Sequence, residues 1–200
     1  MQARPSIVGA DPRDCSGELP RVSFVRQPAT ANRRPMLIRA ATLDDVAQIA
    51  VIHDHYALHS HITFDIDPFS PEEAIVWFRA HSDGHRYRSV VAEDDSGRVL
   101  GYAGTGRFRP KAAYETTVEV TVACSPDAQG QGIGTRLYTA LFAVLAGEDI
   151  HLIVAGIAQP NPASNALHQR FGFRPVGTFA EVGRKFDRYW DVTWMERRAG

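Results

Sequence analysis

The sequence predicts an α/β domain, a mixed β-sheet with helices on its faces, and three observations lead there. Val118, Val120 and Val122 alternate with Glu119, Thr121 and Ala123, which is the period of a strand. Ile133, Leu137, Leu141, Val144 and Leu145 recur at helical spacing, and Gly147 closes the pattern as a C-cap. Along the chain the two periods interleave in the order β-α-α-β-β-β-α-β-α-β-β, that of a mixed sheet of about seven strands with four flanking helices.

The elements follow in order. Residues 1–35 show no sustained period and carry proline, glycine and polar punctuation, so they predict a poorly ordered extension. A transit peptide would need an amphipathic pattern and few acids, whereas this stretch lacks the pattern and holds three acids. Met36 is an alternative start, and the folded domain is expected over 36–200. "MLIRAA" reads as a strand, and Thr42 with Asp45 begins a helix through "LDDVAQIAVIHDHYALH". A second helix opens at Ser70, with Pro71 in its first position and Glu73 closing a capping box. "RYRSVVAED" and "RVLGYAGTGRF" read as strands joined by the hairpin signal Asp94-Asp95-Ser96-Gly97. The strand containing Glu119 comes next. After the glycine-rich turn come the helix from Ile133, the strand "HLIVAGI", a short helix opened by Asn161-Pro162 and stopped at Gly172, and two final strands.

Composition narrows the function. The chain has 200 residues, 44% of them hydrophobic, and a formal net charge of −1, which gives no sign of a nucleic-acid surface or an acidic tail. No apolar run approaches the ~20 residues of a membrane span. The two cysteines, Cys15 and Cys124, fall in the extension and in a strand, so a disulfide framework is not expected and a reducing, cytoplasmic setting is. A small molecule is the expected partner.

Three glycines in five residues, Gln129-Gly130-Gln131-Gly132-Ile133-Gly134, sit where a strand turns into a helix. The first turn of a helix presents unpaired N–H groups and the positive end of its dipole, and glycine lets an anion approach them. The alternative is a tight turn that needs positive φ. A nucleotide P-loop would end Gly-Lys-Ser/Thr, but Gly134 is followed by Thr135 and Arg136. A dinucleotide fingerprint would need Gly-x-Gly-x-x-Gly in the first βαβ unit and an acid after the next strand, and neither is present.

This order of elements, with Gln129-x-x-Gly132-x-Gly134 between the fourth strand and the third helix, resembles the GNAT superfamily of acetyl-CoA-dependent N-acetyltransferases. The resemblance implies that the backbone from Gly130 to Thr135 holds the diphosphate of coenzyme A. It also implies that Val122, Ala123 and Cys124, on a strand splayed from its neighbour, pair with the pantetheine. "NPASNALHQRFGF" is similar to the family's Asn-x-x-Ala/Ser-x-x-x-Tyr segment, which implies Asn161 on the pantetheine, Ser164 at the small position and His168 at the tyrosine position. From Leu37 to Glu196 the chain looks like the phosphinothricin acetyltransferase type. His55-Tyr56, Thr63-Phe64, Tyr114 five residues before Glu119, "RLYTALF" and "RYWDVTWME" carry that likeness. Histidine at position 168 is usual in that type. Arg109 and Lys111 stand where the type has Lys and then Arg, so the charges remain but their order is exchanged. A homodimer is implied too.

Acetyl transfer to an amine needs a neutral nitrogen, a site for the oxyanion and a proton for the thiolate. Glu119 is the candidate base, its alternative being the polar face of a strand. His168 is the candidate proton donor or second base, its alternative being packing. An N–H near Ala123 or Cys124 is the candidate oxyanion donor. Direct transfer needs no protein nucleophile, which sets Cys124 aside. Tyr56, Phe64 and Tyr114, with Trp190, are expected in core and pocket wall, and Arg109 with Lys111 at the acceptor's carboxylate unless they are solvated loop charges. "HDHYALHSH" puts His55 and His59 on one helix face, but no third ligand follows, so no metal is expected. Three functions remain open: a small-molecule amino-acid N-acetyltransferase, a protein N-terminal acetyltransferase, and a non-catalytic acetyl-CoA sensor. Glu119 with His168 argues against the last, and the aromatics with two cations favour the closed pocket of the first.

Overall fold

The computed structural model describes residues 36–200; the expected extension over 1–35, with Cys15, lies outside the described residues. Among the described residues there are seven strands and four α-helices, as the interleaved periods predict. The strands are β1 (Met36–Ala40), β2 (Ser89–Asp94), β3 (Val99–Arg107), β4 (Thr117–Cys124), β5 (Leu152–Ala158), β6 (Arg174–Lys185) and β7 (Arg188–Arg198). The helices are α1 (Val46–His59), α2 (Pro71–Ala80), α3 (Ile133–Val144) and α4 (Pro162–Arg170).

Local chemistry sets the boundaries. Ser70 Oγ accepts from Glu73 N at 3.2 Å and Glu73 Oε2 accepts from Ser70 N at 2.8 Å, closing the expected capping box of α2. The helix expected from Thr42 starts as a 3₁₀ turn over Leu43–Asp45 and becomes α-helical only at Val46. There the Asp45 carboxylate takes the Thr42 amide at 2.8 Å and both terminal nitrogens of Arg39 at 2.7 Å. In the β2–β3 turn, Gly97 adopts φ +81° while Asp94 Oδ1 accepts from the amides of Ser96 and Arg98.

The sheet runs β1-β2-β3-β4-β5-β7-β6 and is antiparallel except between β4 and β5. Alternation divides it into two faces. Val118 and Val120 of β4, with Ile153 and Ile157 of β5, pack under Leu137, Tyr138 and Leu141 of α3. On the opposite face Val91, Val99 and Tyr102 pack under Ile49, Ile52 and Tyr56 of α1 and Phe78 of α2. Each fully buried aliphatic or aromatic side chain contributes about 1.5–3 kcal/mol, so both layers hold their helices in register with the sheet.

The parallel pair is short. Only Thr117–Glu119 match Leu152–Val154; beyond them β4 stays with β3 while β5 continues with β7. The sheet therefore opens as a wedge along Val120–Cys124, the expected splay.

Candidate active site

The wedge exposes one edge of β4, and hydrogen bonds tell which residues face it. The Ser125 amide donates to Leu100 O on β3, whereas Thr116 O accepts from His151 and Leu152 on the other side. A strand residue's N–H and C=O point the same way and successive residues alternate, so Val120, Val122 and Cys124 face the wedge and Ala123 faces β3. Of the amides of Ala123 and Cys124, only that of Cys124 therefore faces the wedge, with Val122 one step behind. Cys124 O, on the same edge, accepts from the Tyr56 hydroxyl at 2.5 Å, and Gln129 Nε2 donates to that hydroxyl at 2.8 Å. Tyr56, only 8% exposed, thereby ties α1 to both the strand end and the glycine turn. Burial pushes the Cys124 thiol up to about 11, so it is protonated at neutral pH and a poor nucleophile.

The glycine turn has the shape its composition predicts. Gly130 and Gly132 both adopt φ +76°, a left-handed conformation that side-chain-bearing residues avoid, and Gly132 caps α3. Gly134 faces α4, where a side chain would meet Leu167 Cδ2 at 3.1 Å. The first turn of α3 holds no acidic residue, and among the described residues the amides of Gly132, Ile133 and Thr135 have no backbone acceptor. Gln129, Gly130 and Gln131 lie exposed at its mouth. Such a turn suits an anion. Asn161 caps α4, its Oδ1 accepting from Ser164 N at 3.1 Å, while its side-chain NH₂ has no partner among the described residues.

Glu119 projects from the α1–α2 face, paired across the sheet with Gly106 of β3 and Val154 of β5. Burial raises its pKa and the charge of Arg109 opposes the rise. The Arg109 guanidinium lies 4.5 Å from the centre of Phe108 and 5.9 Å from that of Trp194. Phe108 in turn meets Tyr114 and Trp194 edge-on at 5.7 and 5.8 Å, and Gly156 leaves room for the Trp194 ring at 3.3 Å. The structure thus brings Glu119, Arg109 and Tyr114 together along one wall. Lys111 is exposed at the start of the 3₁₀ turn Ala112–Tyr114. Phe64 stands on the segment between α1 and α2, its ring filling the space over Gly183 of β6.

His168 does not join this group. It is 3% exposed, beside Tyr138 and Phe173 on the α3 face, across the sheet from Glu119. Nδ1 donates to Ser164 O at 2.8 Å, and Nε2 takes the Tyr138 hydroxyl at 2.8 Å. Both ring nitrogens are occupied, and burial lowers its pKa. The expected acid–base role finds no free nitrogen; packing accounts for the residue.

Sequence reading missed Phe108, Trp194 and His81. For two of them the signal was a glycine inside a strand, which marks a close approach: Gly106 for His81 and Gly156 for Trp194. The ring of His81 lies over Gly106 and would sit 2.6 Å from a side chain there. Among the described residues no group of three or more His, Cys, Asp or Glu side chains is placed to hold a metal ion.

Comparison with known proteins identifies the family. Residues 52–173 match the Acetyltransferase (GNAT) family. A phosphinothricin N-acetyltransferase of Streptomyces coelicolor is 51% identical over 161 residues, 80% of this chain and 94% of that protein. An L-methionine sulfoximine/L-methionine sulfone acetyltransferase of Pseudomonas paraeruginosa is 35% identical over 80% of this chain and 92% of its own. The crystal structure of a GNAT superfamily phosphinothricin acetyltransferase from Sinorhizobium meliloti in complex with AcCoA matches with a TM-score of 0.78 at 33% identity, covering 82% of this chain and 89% of that one. The chain therefore belongs to the GNAT acetyltransferase family, and it is an N-acetyltransferase that takes its acetyl group from acetyl-CoA.

Proposed function

We propose that the acceptor is a small amino-acid-like amine of the phosphinothricin or methionine sulfoximine class, acetylated by direct transfer. One observation carries this reading. Arg109 lies against an aromatic wall within electrostatic reach of Glu119, and its one hydrogen bond among the described residues is a 3.3 Å contact to the neighbouring Phe108 carbonyl. A guanidinium so placed suits the carboxylate of an acceptor whose amino group reaches Glu119, with Lys111 as a second cation and Tyr114 and Phe64 as apolar walls.

In this reading the diphosphate of acetyl-CoA rests on the amides from Gly130 to Thr135. Its pantetheine runs along Val122 and Cys124, with Ala123 between them and the Asn161 amide alongside. The cosubstrate supplies an activated thioester. Glu119 removes the ammonium proton, directly or through water, and the Cys124 amide faces the carbonyl oxygen that gains charge. The Tyr56 bond to Cys124 O keeps that amide aimed.

The test is a panel of amines with acetyl-CoA and thiol detection, each amino acid run beside its methyl ester and beside short peptides. Free acids should react with the lowest KM. Equal rates for acid and ester would remove the carboxylate contact, and a preference for peptides would make the enzyme a protein N-terminal acetyltransferase. The same reading includes a cytoplasmic homodimer. Val176, Phe179 and Val182, 55–58% exposed on the edge strand β6, support the assembly, and a monomer in light scattering at micromolar concentration would overturn it.

A further inference from the structure

Amide formation from an ammonium strips two protons from one nitrogen, yet Glu119 is one carboxylate and His168 has no nitrogen to offer. His81 has one. It is the residue that ends α2, and its ring stacks on Trp77 with centroids 4.2 Å apart. Nδ1 lies 2.7 Å from Trp77 O, and a carbonyl only accepts, so Nδ1 carries the hydrogen and Nε2 the lone pair. Nε2 has no hydrogen-bond partner among the described residues. Ser82 Oγ is the one fully buried side-chain polar atom without a partner among them, so Nε2 opens onto accessible space.

Glu119 stands on the next strand, opposite the glycine the ring covers. The absent side chain of Gly106 would lie 2.6 Å from His81 Nε2 and 2.8 Å from Cδ2. Gly106 pairs directly with Glu119. Side chains of directly opposed residues leave the same face about 4.5–5.5 Å apart, so the His81 ring over Gly106 and the Glu119 side chain occupy the same α1–α2 face on adjacent strands. Glycine at 106 is what lets the ring descend there. The titratable or charged groups on the neighbouring strands are Tyr102 of β3, which meets Trp77 edge-on, and Glu119 of β4, opposite Gly106, with Arg109 acting on Glu119. Burial holds the Tyr102 hydroxyl protonated and lowers the His81 pKa, so the imidazole is neutral at pH 7.

We propose that His81 is a second catalytic base, whose Nε2 takes one of the two protons the acceptor nitrogen loses. The ammonium gives its first proton to Glu119. Its nitrogen then bonds to the thioester carbon, and the second proton passes from nitrogen to His81 Nε2. The carbon–sulfur bond breaks with its pair on sulfur, the thiolate takes the proton held by Glu119, and the imidazolium returns its own to water. One proton ends on the thiol and one in solvent. This inference rests on the N-acetyltransferase reading with Glu119 as first base, and the amine panel on the parent enzyme decides that separately.

The experiment compares His81→Ala and His81→Gln with any amine the parent accepts. His81→Ala should lose roughly a hundredfold in kcat while KM for acetyl-CoA stays unchanged, and imidazole in the buffer should restore turnover in proportion to its free-base fraction. Loss without imidazole rescue, or parental kcat, overturns the proposal. If His81→Ala fails to fold, His81→Gln carries the decision: its acid limb should lose one of two ionisations, and an unchanged limb overturns the assignment.

Discussion

Gly183→Ala tests how the acceptor side of the site is held. A methyl group there would overlap Phe64 Cε2, Cζ and Cδ2, so the ring must leave. Phe64 is 37% exposed, so about two-thirds of a phenylalanine burial worth about 1.5–3 kcal/mol is at stake, or about 1–2 kcal/mol. At about 2–4 °C per kcal/mol for a domain of this size, the melting temperature should fall by roughly 2–8 °C. The segment that carries Phe64 is otherwise anchored by Lys185, whose Nζ donates to Thr63 O and Asp65 O at 2.8 Å each. The fold should therefore survive while KM for the acceptor rises and KM for acetyl-CoA does not. Calorimetric scanning and steady-state kinetics on Gly183→Ala, Phe64→Ala and the double variant read both effects. In the Phe64→Ala background the added methyl should cost nothing. Additive losses would mean that the two residues do not share this contact, and the wall would need another explanation.

Glu119→Gln keeps the shape and removes the base, so turnover should drop roughly a hundredfold or more while acetyl-CoA binding survives. Because burial raises the Glu119 pKa, parental activity should fall as pH drops through that raised value, and in the variant the limb should move toward the pKa of the free amine. Parental turnover in the variant across the pH range would exclude this base. Gly132→Val forces a branched residue into φ +76° and sets it against the phosphate, so calorimetry should show acetyl-CoA affinity lower by roughly tenfold to a hundredfold; unchanged affinity would misplace the cradle. The last concerns His53, which stacks on Phe69 at 3.8 Å with Nε2 2.9 Å from Asp65 Oδ2. Burial lowers the imidazole, but Asp65 and Asp54 outweigh it and raise its pKa, while the His53 bond holds Asp65 down at about 2. The raised imidazole stabilises the fold below its ordinary 6.5, and that contribution is lost as pH climbs through the folded value. The depressed carboxyl stabilises above its ordinary 3.8 and loses this toward about 2. In urea titrations Asp65→Asn should flatten the acid loss, and a parental stability curve in the variant would dissolve the pair.

Local signals carried most of the fold. The Ser70–Glu73 box, the Asp94–Gly97 turn and the Asn161 cap are short-range hydrogen-bond patterns, so their residues announce them. The β6–β7 turn is different. Phe186 and Asp187 adopt φ +53° and +57° with no glycine or asparagine, so nothing local marks a two-residue hairpin, and strand pairing over the long β6 and β7 imposes it. In the site, Glu119 and the glycine turn were legible because alternation fixes a face and glycine spacing fixes a backbone. The Tyr138–His168 bond, 30 residues apart, and the descent of His81 onto Gly106 were not, since both depend on which helix covers which face. Lys185 likewise reads as an ordinary charge, and only the fold shows it buried and donating to three carbonyls.

The brevity of the β4–β5 ladder has a mechanical consequence. Three residue pairs join a four-stranded half, β1 to β4, to a three-stranded half, β5 to β7, so the seam is the weakest line in the sheet. A molecule lying in the wedge and touching both halves acts there as a staple. By mass action a ligand at a hundred times its dissociation constant adds about 2.7 kcal/mol to the folded state. That gain falls on the seam rather than within either half. Amides of β5 beside the opening should therefore slow their exchange with solvent more than those of β2 when the cosubstrate binds, making the catalytic cleft also the joint that the reaction cycle alternately fastens and frees.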